Sequence, residues 1–370
     1  MSRHCMHTWV RRRLRRPAIG VAAAALVAAG PLLGACSSSH SEAVASAAAS
    51  SGGATSAAGA RSAAGNSEHP QLAFFAFAVQ NDYEAPMIAA ARQEAAAENA
   101  QLTVFAQDNA QTQFGEVQDA IVSGKYDGFL IDAVDGAGLV PLVQQALSQH
   151  IKVVAVNDVL GANLQLEQPQ IPGVSASVVY TAFSRGQHGA RLVEQACAAA
   201  AGSGQCNVGY MYDFKASEFD QGVRAGLDSV ISSDPRIKIV AEGQAEFSAT
   251  QGFAAAETML QAQPDITVLV GSDQGMEGAT RAVAAAGKTG HVKIIGLGGS
   301  VAAFSEVKSG AWFGDVATLP ATQGQVAAQA LVKAIRQGVN SGGLNPAASL
   351  PDGGLVTQAD VSQFTGQWSG

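Results

Sequence analysis

Ten short apolar runs of strand-forming residues, spaced along some 250 residues, constrain this chain more than any other feature. They are LAFFAFAV (72–79), LTVFAQ (102–107), DGFLID (127–132), KVVAVN (152–157), GVSASVV (173–179), CNVGYMYD (206–213), IKIVAEG (237–243), ITVLVGSD (266–273), VKIIGLG (292–298) and FGDVATL (313–319). Ala-rich stretches with helical spacing fill most of the intervals, such as APMIAAARQEAAAENA (85–100), GAGLVPLVQQALSQH (136–150) and QGFAAAETMLQAQ (251–263). Continuous apolar strands alternating with amphipathic helices predict parallel sheets covered on both faces, an α/β fold. Ten strands exceed one comfortable sheet, and a division near residue 180 gives two similar halves. In open sheets of this kind a ligand sits beyond the carboxyl ends of the strands.

The residues just after each strand are therefore the candidates. Phe77, Gln80, Asn81, Asp82 and Tyr83 follow the first strand, Asp132 and Asp135 the third, and Asn157 and Asp158 the fourth. In the second half the strand ends carry YDFKASEFDQG, AEFSATQG, GSDQGMEGA and GLGGS. Taken singly, Asn, Asp and Ser at such places are helix N-caps, and Asp135, Asp273 and Ser300 are read that way. Asn81, Tyr83, Asp132 and Asp158 are read as ligand contacts, because polar and aromatic side chains recur at several strand ends together.

The first 36 residues have a different character. Arg3, Arg11, Arg12, Arg13, Arg15 and Arg16 precede an Ala-rich apolar stretch from Ala18 to Leu33. That order is a secretory signal, and Gly30 and Pro31 leave it short for a spanning helix. Leu33-Gly34-Ala35-Cys36 is similar to the bacterial lipobox, which makes Cys36 a lipid attachment site; an ordinary cleaved leader is the alternative. The arginine cluster leaves Sec and twin-arginine export both open. Ser37–Pro70 is rich in Ser, Ala and Gly and reads as a disordered tether with a reach of roughly 30 Å. Without the six leader arginines, 16 basic residues face 30 acidic ones, a net charge of −14. Such a body is a poor nucleic-acid binder. Of the remaining cysteines, Cys5 falls in the leader, while Cys197 and Cys206 suit a disulfide in an exported setting, with no neighbouring ligands for a metal.

QNDYEAPMIAAARQEAAA, EVQDAIVSGKYDGFLIDAVDGAGLVPLVQQA (116–146), GSDQGMEGATRAVAAAG and VATLPATQGQVAAQAL, in this order, resemble the periplasmic sugar-binding proteins of the ribose-binding type, the substrate receptors of ABC importers. The resemblance covers nearly all of 71–365. It implies a type I periplasmic binding fold: two Rossmann-like lobes with parallel sheets, joined by a three-segment hinge near 179–182, 318–321 and 354–357. The organisation that follows is a leader over 1–35, a lipidated Cys36 and tether over 36–70, a first lobe of 71–180 plus 320–355, and a second lobe of 181–319 plus 356–370. Matched position by position, the resemblance implies ligand contacts at Phe77, Asn81, Tyr83, Asp132, Asn157 and Asp158 in the first lobe. It implies Phe214, Gln221, Phe247 and Ser272 in the second, and Thr318 at the hinge. An arginine common after the fourth strand is Asp158 here, another near FDQGVRAGL is Val223, and the Asp of a Gly-Phe-Asp-Gly motif is Gly298. The pocket is thus expected to be short of basic donors and rich in carboxylates, which suits the hydroxyls of a neutral sugar or polyol and disfavours an anion.

The resemblance implies capture by lobe closure, delivery to an ABC permease and its ATPase, a monomer, and a lipid-anchored location on the outer face of the cytoplasmic membrane. No cofactor or metal is expected. An enzyme is the first rival, but Gly-x-Ser-x-Gly, His-Glu-x-x-His, Cys-x-x-Cys and a phosphate loop are all missing from the sequence. A ligand-sensing receptor feeding a membrane signalling partner is the other alternative.

Overall fold

The computed structural model describes residues 68–77, 82–107, 109–202 and 204–370. The leader, Cys36, the tether up to residue 67, and Asn81 lie outside the described residues.

All ten apolar runs contain strands: β1 (Gln71–Ala76), β2 (Gln101–Ala106), β3 (Gly128–Ile131), β4 (Lys152–Asn157), β5 (Ala176–Val179), β6 (Cys206–Tyr212), β7 (Ile237–Gln244), β8 (Val268–Gly271), β9 (Lys293–Gly296) and β10 (Gly314–Val316). Two further strands, β11 (Gly342–Leu344) and β12 (Leu355–Thr357), complete two six-stranded sheets. The strand order is β2-β1-β3-β4-β5-β11 in the first sheet and β7-β6-β8-β9-β10-β12 in the second. Every pairing is parallel except β10 with β12, an antiparallel edge.

The helices are α1 (Glu84–Ala97), α2 (Ala110–Ser123), α3 (Val140–Ser148), α4 (Ala182–Ala201), α5 (Glu218–Ile231), α6 (Ala249–Ala262), α7 (Asp273–Ala285), α8 (Val301–Ser309) and α9 (Pro320–Gln337). Their starts are set by short polar side chains that accept a hydrogen bond from the first turn: Asn109, Thr181, Ser217, Ser248, Ser272 and Ser300. Successive side chains of a strand point to opposite faces, and β1 shows the consequence. Leu72 and Phe74 pack beneath α1 and α9, while Ala73 and Phe75 face the core under α2 and α3. Each sheet is therefore buried on both sides, as its unbroken apolar strands require.

The chain passes between the sheets three times: from β5 into α4, from β10 into α9, and from β11 to β12. Helix α9 packs against α1 and so belongs with the first sheet. Cys197 near the end of α4 and Cys206 at the start of β6 form a disulfide, with Cα atoms 5.5 Å apart. The strand order reverses between β1 and β3 and again between β6 and β8. Those two reversals are where connecting loops diverge and leave a crevice.

Candidate ligand-binding site

A cavity of about 110 Å³ opens at these crevices and draws its walls from both lobes. Phe77, Tyr83, Asn157, Asp158, Phe214, Phe247 and Ser272, all sequence candidates, line it. Three others stand elsewhere. Asp132 is fully buried one layer behind, where its carboxyl oxygens accept from Asn157 Nδ2 at 3.4 and 3.5 Å. Thr318 is also buried behind the wall and donates to the Gly298 carbonyl. Gln221 is exposed and donates to the Ala216 carbonyl at 3.3 Å. Helical phase separates it from the site: Asp220 and Val223, at i and i+3, line the cavity, and Gln221 is rotated about 100° from Asp220.

The expected shortage of basic donors is corrected by Arg185. This side chain, 5% exposed, sits in the first turn of α4 at the first crossing and lines the cavity. Its guanidinium lies 5.0 Å from the Phe219 ring centre and 5.8 Å from those of Tyr83 and Tyr180, an arrangement that favours the cation over aromatic faces. Nε of Arg185 has no hydrogen-bond partner. Reading strand ends alone passes over a residue that enters from a helix.

Asp158 faces the cavity beside that cation. Its carboxylate has no hydrogen-bond partner among the described residues. Burial raises its pKa to about 6 against the opposing pull of Arg185. Glu84, the first residue of α1, also lines the cavity; its Oε2 is buried without a partner, and burial raises its pKa to about 8. Asp132 behind it is pushed well above the usual range, first by burial and then by the Glu84 charge. Tyr83 ties this face together, its hydroxyl lying 3.2 Å from Asn157 Oδ1 and 3.3 Å from Gln323 Oε1. Asn157 holds a left-handed backbone (φ 62°), which its short polar side chain tolerates.

On the second lobe Asp213 directly follows β6. Its Oδ1 accepts from Ser272 Oγ at 2.7 Å and from the Phe247 amide at 3.1 Å, and burial raises its pKa to about 8. Asp220 accepts from the amides of Asp213 and Phe214 at 2.9 and 2.8 Å and from Ser217 Oγ at 2.9 Å. Phe247 has φ 49°, a costly conformation for a bulky side chain, of order 1–3 kcal/mol. The Asp213 bond to its amide holds it there, and its ring meets Phe214 at 5.7 Å and Phe77 of the other lobe at 6.5 Å. Asp273, expected as a cap, is the first residue of α7; Ser272 caps that helix and Asp273 Oδ2 instead accepts from the Ser300 amide at 2.8 Å. Asp135 and Ser300 do act locally, on the amides of Gly138 and Ala303. Asp213 was discoverable from sequence, since it follows β6 as Asp132 follows β3.

One hydrogen bond crosses the cavity mouth: the Gly136 amide donates to Glu218 Oε2 at 3.0 Å. Gly136 packs so close to the Val159 carbonyl that a Cβ would lie 2.1 Å from its oxygen, so only glycine brings this amide to the other lobe. The site thus offers acceptors at Asp158, Glu84 and Asp213, a donor at Arg185, and aromatic faces at Phe77, Tyr83, Phe214, Phe247 and Trp368. It holds the equipment to bind a small polar solute with apolar faces.

Residues 72–338 match the family described as periplasmic binding protein domain. The D-ribose/D-allose-binding protein of Pseudomonas aeruginosa is 31% identical over 187 residues, half of this chain and 55% of that protein. The D-apiose import binding protein of Actinobacillus succinogenes is 40% identical over 86 residues, 23% of this chain and 27% of that protein. The matches thus span about half, or less, of the length of these curated relatives. Among solved structures, an ABC transporter periplasmic solute-binding protein from Actinobacillus succinogenes with bound D-allose superposes with a TM-score of 0.67 at 22% identity, covering 80% of this chain and all of that one. A solute-binding protein from Bacillus halodurans with bound myo-inositol gives 0.65 at 20% identity, covering 80% and 97%. With two sheets, three crossings and an interlobe cavity, and with more than two thirds of its length matched by the family model, the chain belongs to the periplasmic binding protein domain family.

Proposed function

We propose that this protein captures a neutral sugar or polyol between its two lobes and delivers it to an ABC importer, without bond chemistry. The observation that carries the reading is the interlobe cavity itself, where desolvated carboxylates and a guanidinium face one another across a space walled by aromatic rings. Buried carboxylates need donors, and sugar hydroxyls supply them, each charge-assisted bond contributing on the order of 1.5–3 kcal/mol. Arg185 supplies a donor to ring or hydroxyl oxygens, and the aromatic faces pack on C–H surfaces. Groups from both lobes contact the ligand together only in the closed form, so ligand shifts the open–closed equilibrium; a hundredfold preference is worth about 2.7 kcal/mol.

The relatives support this class of ligand, since they are named for D-ribose, D-allose and D-apiose. Export, lipidation at Cys36, work as a monomer at the outer face of the cytoplasmic membrane, and partnership with a permease and its ATPase belong to the same reading. So do the boundaries of the lobes at 71–180 plus 320–355 and 181–319 plus 356–370. Among the described residues no helix is long and apolar enough to cross a membrane. A thermal-shift screen of pentoses, hexoses, inositols and small polyols tests it. At least one should raise the melting temperature by several degrees; a screen in which only phosphorylated or anionic compounds do so rejects the reading.

A further inference from the structure

Residues 365–370 follow the last helical turn (Val361–Gln363) and run back across the base of the cavity. Their backbone finishes α8: the carbonyls of Trp368 and Ser369 accept from the otherwise unpaired amides of Val301 and Ala302 at 2.9 and 3.1 Å. Their side chains reach the other lobe. Gln367 exchanges two bonds with Thr322 in the first turn of α9, Oε1 accepting from the amide at 3.0 Å and Nε2 donating to Oγ1 at 2.8 Å. Ser369 Oγ donates to Asp82 Oδ2, ahead of α1, at 3.1 Å.

Between these ties Trp368 enters the cavity wall. It is 5% exposed, its Nε1 donates to the Gly298 carbonyl at 2.8 Å, and its ring meets Tyr83 of the first lobe edge-on at 5.5 Å. A Cβ on Gly298 would lie 2.7 Å from Trp368 Cζ2 and 2.8 Å from the Asp273 carboxyl. The indole therefore fills the space that a side chain at 298 would take. A wall that strand β9 could have furnished with its own residue is supplied from 70 positions further along the chain.

We propose that residues 367–369 form a strap tying the two lobes beside the hinge, and that Trp368 on this strap is a specificity-determining residue of the ligand cavity. The indole presents an apolar plane, so the ligand edge against it is a C–H face, and hydroxyls point instead toward Asp158, Asp213 and Arg185. Because the strap bonds both lobes, the position of that plane changes with their angle. The second half of the proposal rests on the sugar-binding reading; the strap does not.

Two measurements on the full chain decide it. Without ligand, deleting residues 365–370, or the double change Gln367→Ala and Ser369→Ala, should speed hydrogen exchange of the Thr322 amide at least tenfold. The deletion should do the same at Val301 and Ala302, where the double variant should not. Unchanged exchange at Thr322 in both variants overturns the strap whether or not any sugar binds. With D-allose, D-ribose and myo-inositol as probes, Trp368→Ala should weaken binding at least tenfold and narrow the difference among the three, while Trp368→Phe should stay within about threefold of the unaltered protein. Trp312 and Trp368 are the only tryptophans after Cys36, so a sugar-induced fluorescence change should disappear in Trp368→Phe. Binding by Trp368→Ala within twofold for all three sugars, or a fluorescence change that survives in Trp368→Phe, overturns the cavity role. If the unaltered protein takes none of the three, the sugar or polyol that the screen finds replaces them as probe; if the screen finds no neutral ligand, the sugar reading and the cavity role fall together, and the exchange data alone carry the strap.

Discussion

The two lobes share a strand order and each buries carboxylates near its crevice, yet they use them differently. Each has a buried carboxyl pair: Glu84 at the start of α1 with Asp132 after β3 in the first lobe, Asp273 at the start of α7 with Asp315 within β10 in the second. In the second lobe, acidic oxygens are turned onto the chain's own amides. Asp220 holds two, Asp315 accepts from Gly298, Gly299 and Val316, and Asp273 accepts from Ser300. In the first lobe Asp158 has no such bond, and Glu84 leaves one buried oxygen unmatched. The second-lobe face is satisfied mostly by its own chain, Asp273 Oδ1 being a buried exception, whereas the first leaves the Asp158 carboxylate without any bond among the described residues, open to what enters the cavity. Acidic residues in a repeated architecture thus divide into groups that build the wall and groups left open to the cavity.

The largest effects should divide along that line. Asp220→Ala leaves the amides of Asp213 and Phe214 and the Ser217 hydroxyl without their acceptor; at about 1–3 kcal/mol for each buried orphan, the loss of stability is about 3 kcal/mol or more. A drop in melting temperature on the order of 5–10 °C should result. Asp158→Ala removes a carboxylate that bonds nothing in the empty site. Its unliganded melting temperature should stay within about 2 °C, while affinity for the sugar found by screening falls roughly 10- to 100-fold, the worth of one charge-assisted bond. If Asp158→Ala unfolds and Asp220→Ala merely binds less, the division of roles is reversed.

Proton linkage gives the next largest effect. Burial raises Glu84 and Asp213 to about 8 and Asp158 to about 6. A carboxyl raised in the folded state binds its proton more tightly there than in the unfolded chain, so its share of folding stability is greatest at low pH and is lost between the two pKa values. The empty protein should therefore become less stable from about pH 4.5 to 8. A polyol whose hydroxyls donate to these oxygens favours the ionised form, so binding should release protons and tighten by about three- to tenfold from pH 6 to 8. Calorimetry in buffers of different ionisation enthalpy measures that release. Proton uptake would mean that the ligand accepts from carboxylic acids, and that the first-lobe face is not held open for donors.

Sequence patterning located the framework well and the chemistry unevenly. The ten β-type runs were legible because strands buried on both faces must be apolar throughout. The edge strands β11 and β12, Gly-Gly-Leu and Leu-Val-Thr, were not: three residues carry no periodicity, and β11 has two glycines. Strand-end logic pointed to Phe77, Tyr83, Asn157 and Asp158, and the resemblance to Phe214, Phe247 and Ser272; all of them line the cavity, because the crevices lie beyond the strand ends. It could not find Arg185, which enters from a helix at the crossing, or Trp368, whose neighbour Gly298 is 70 residues away. Asp132, to which it also pointed, is fully buried behind Asn157, a depth that a residue's place after a strand does not reveal.

The smallest effect concerns the bond that joins the faces. Glu218 Oε2 accepts from Gly136 across the mouth, about half-buried, with its pKa raised by burial and lowered in part by that amide. Solvent screens such a pair, so Glu218→Ala should weaken ligand binding by less than tenfold, through faster release, with little change in melting temperature. Glu218→Gln keeps a neutral acceptor and should recover most of the loss. The bond exists only when the lobes are together, so its removal penalises closure and leaves each face intact. An effect of Glu218→Ala as large as that of Asp158→Ala would place the charge in contact with the ligand, and the second lobe would then hold an acceptor for it beyond Asp213.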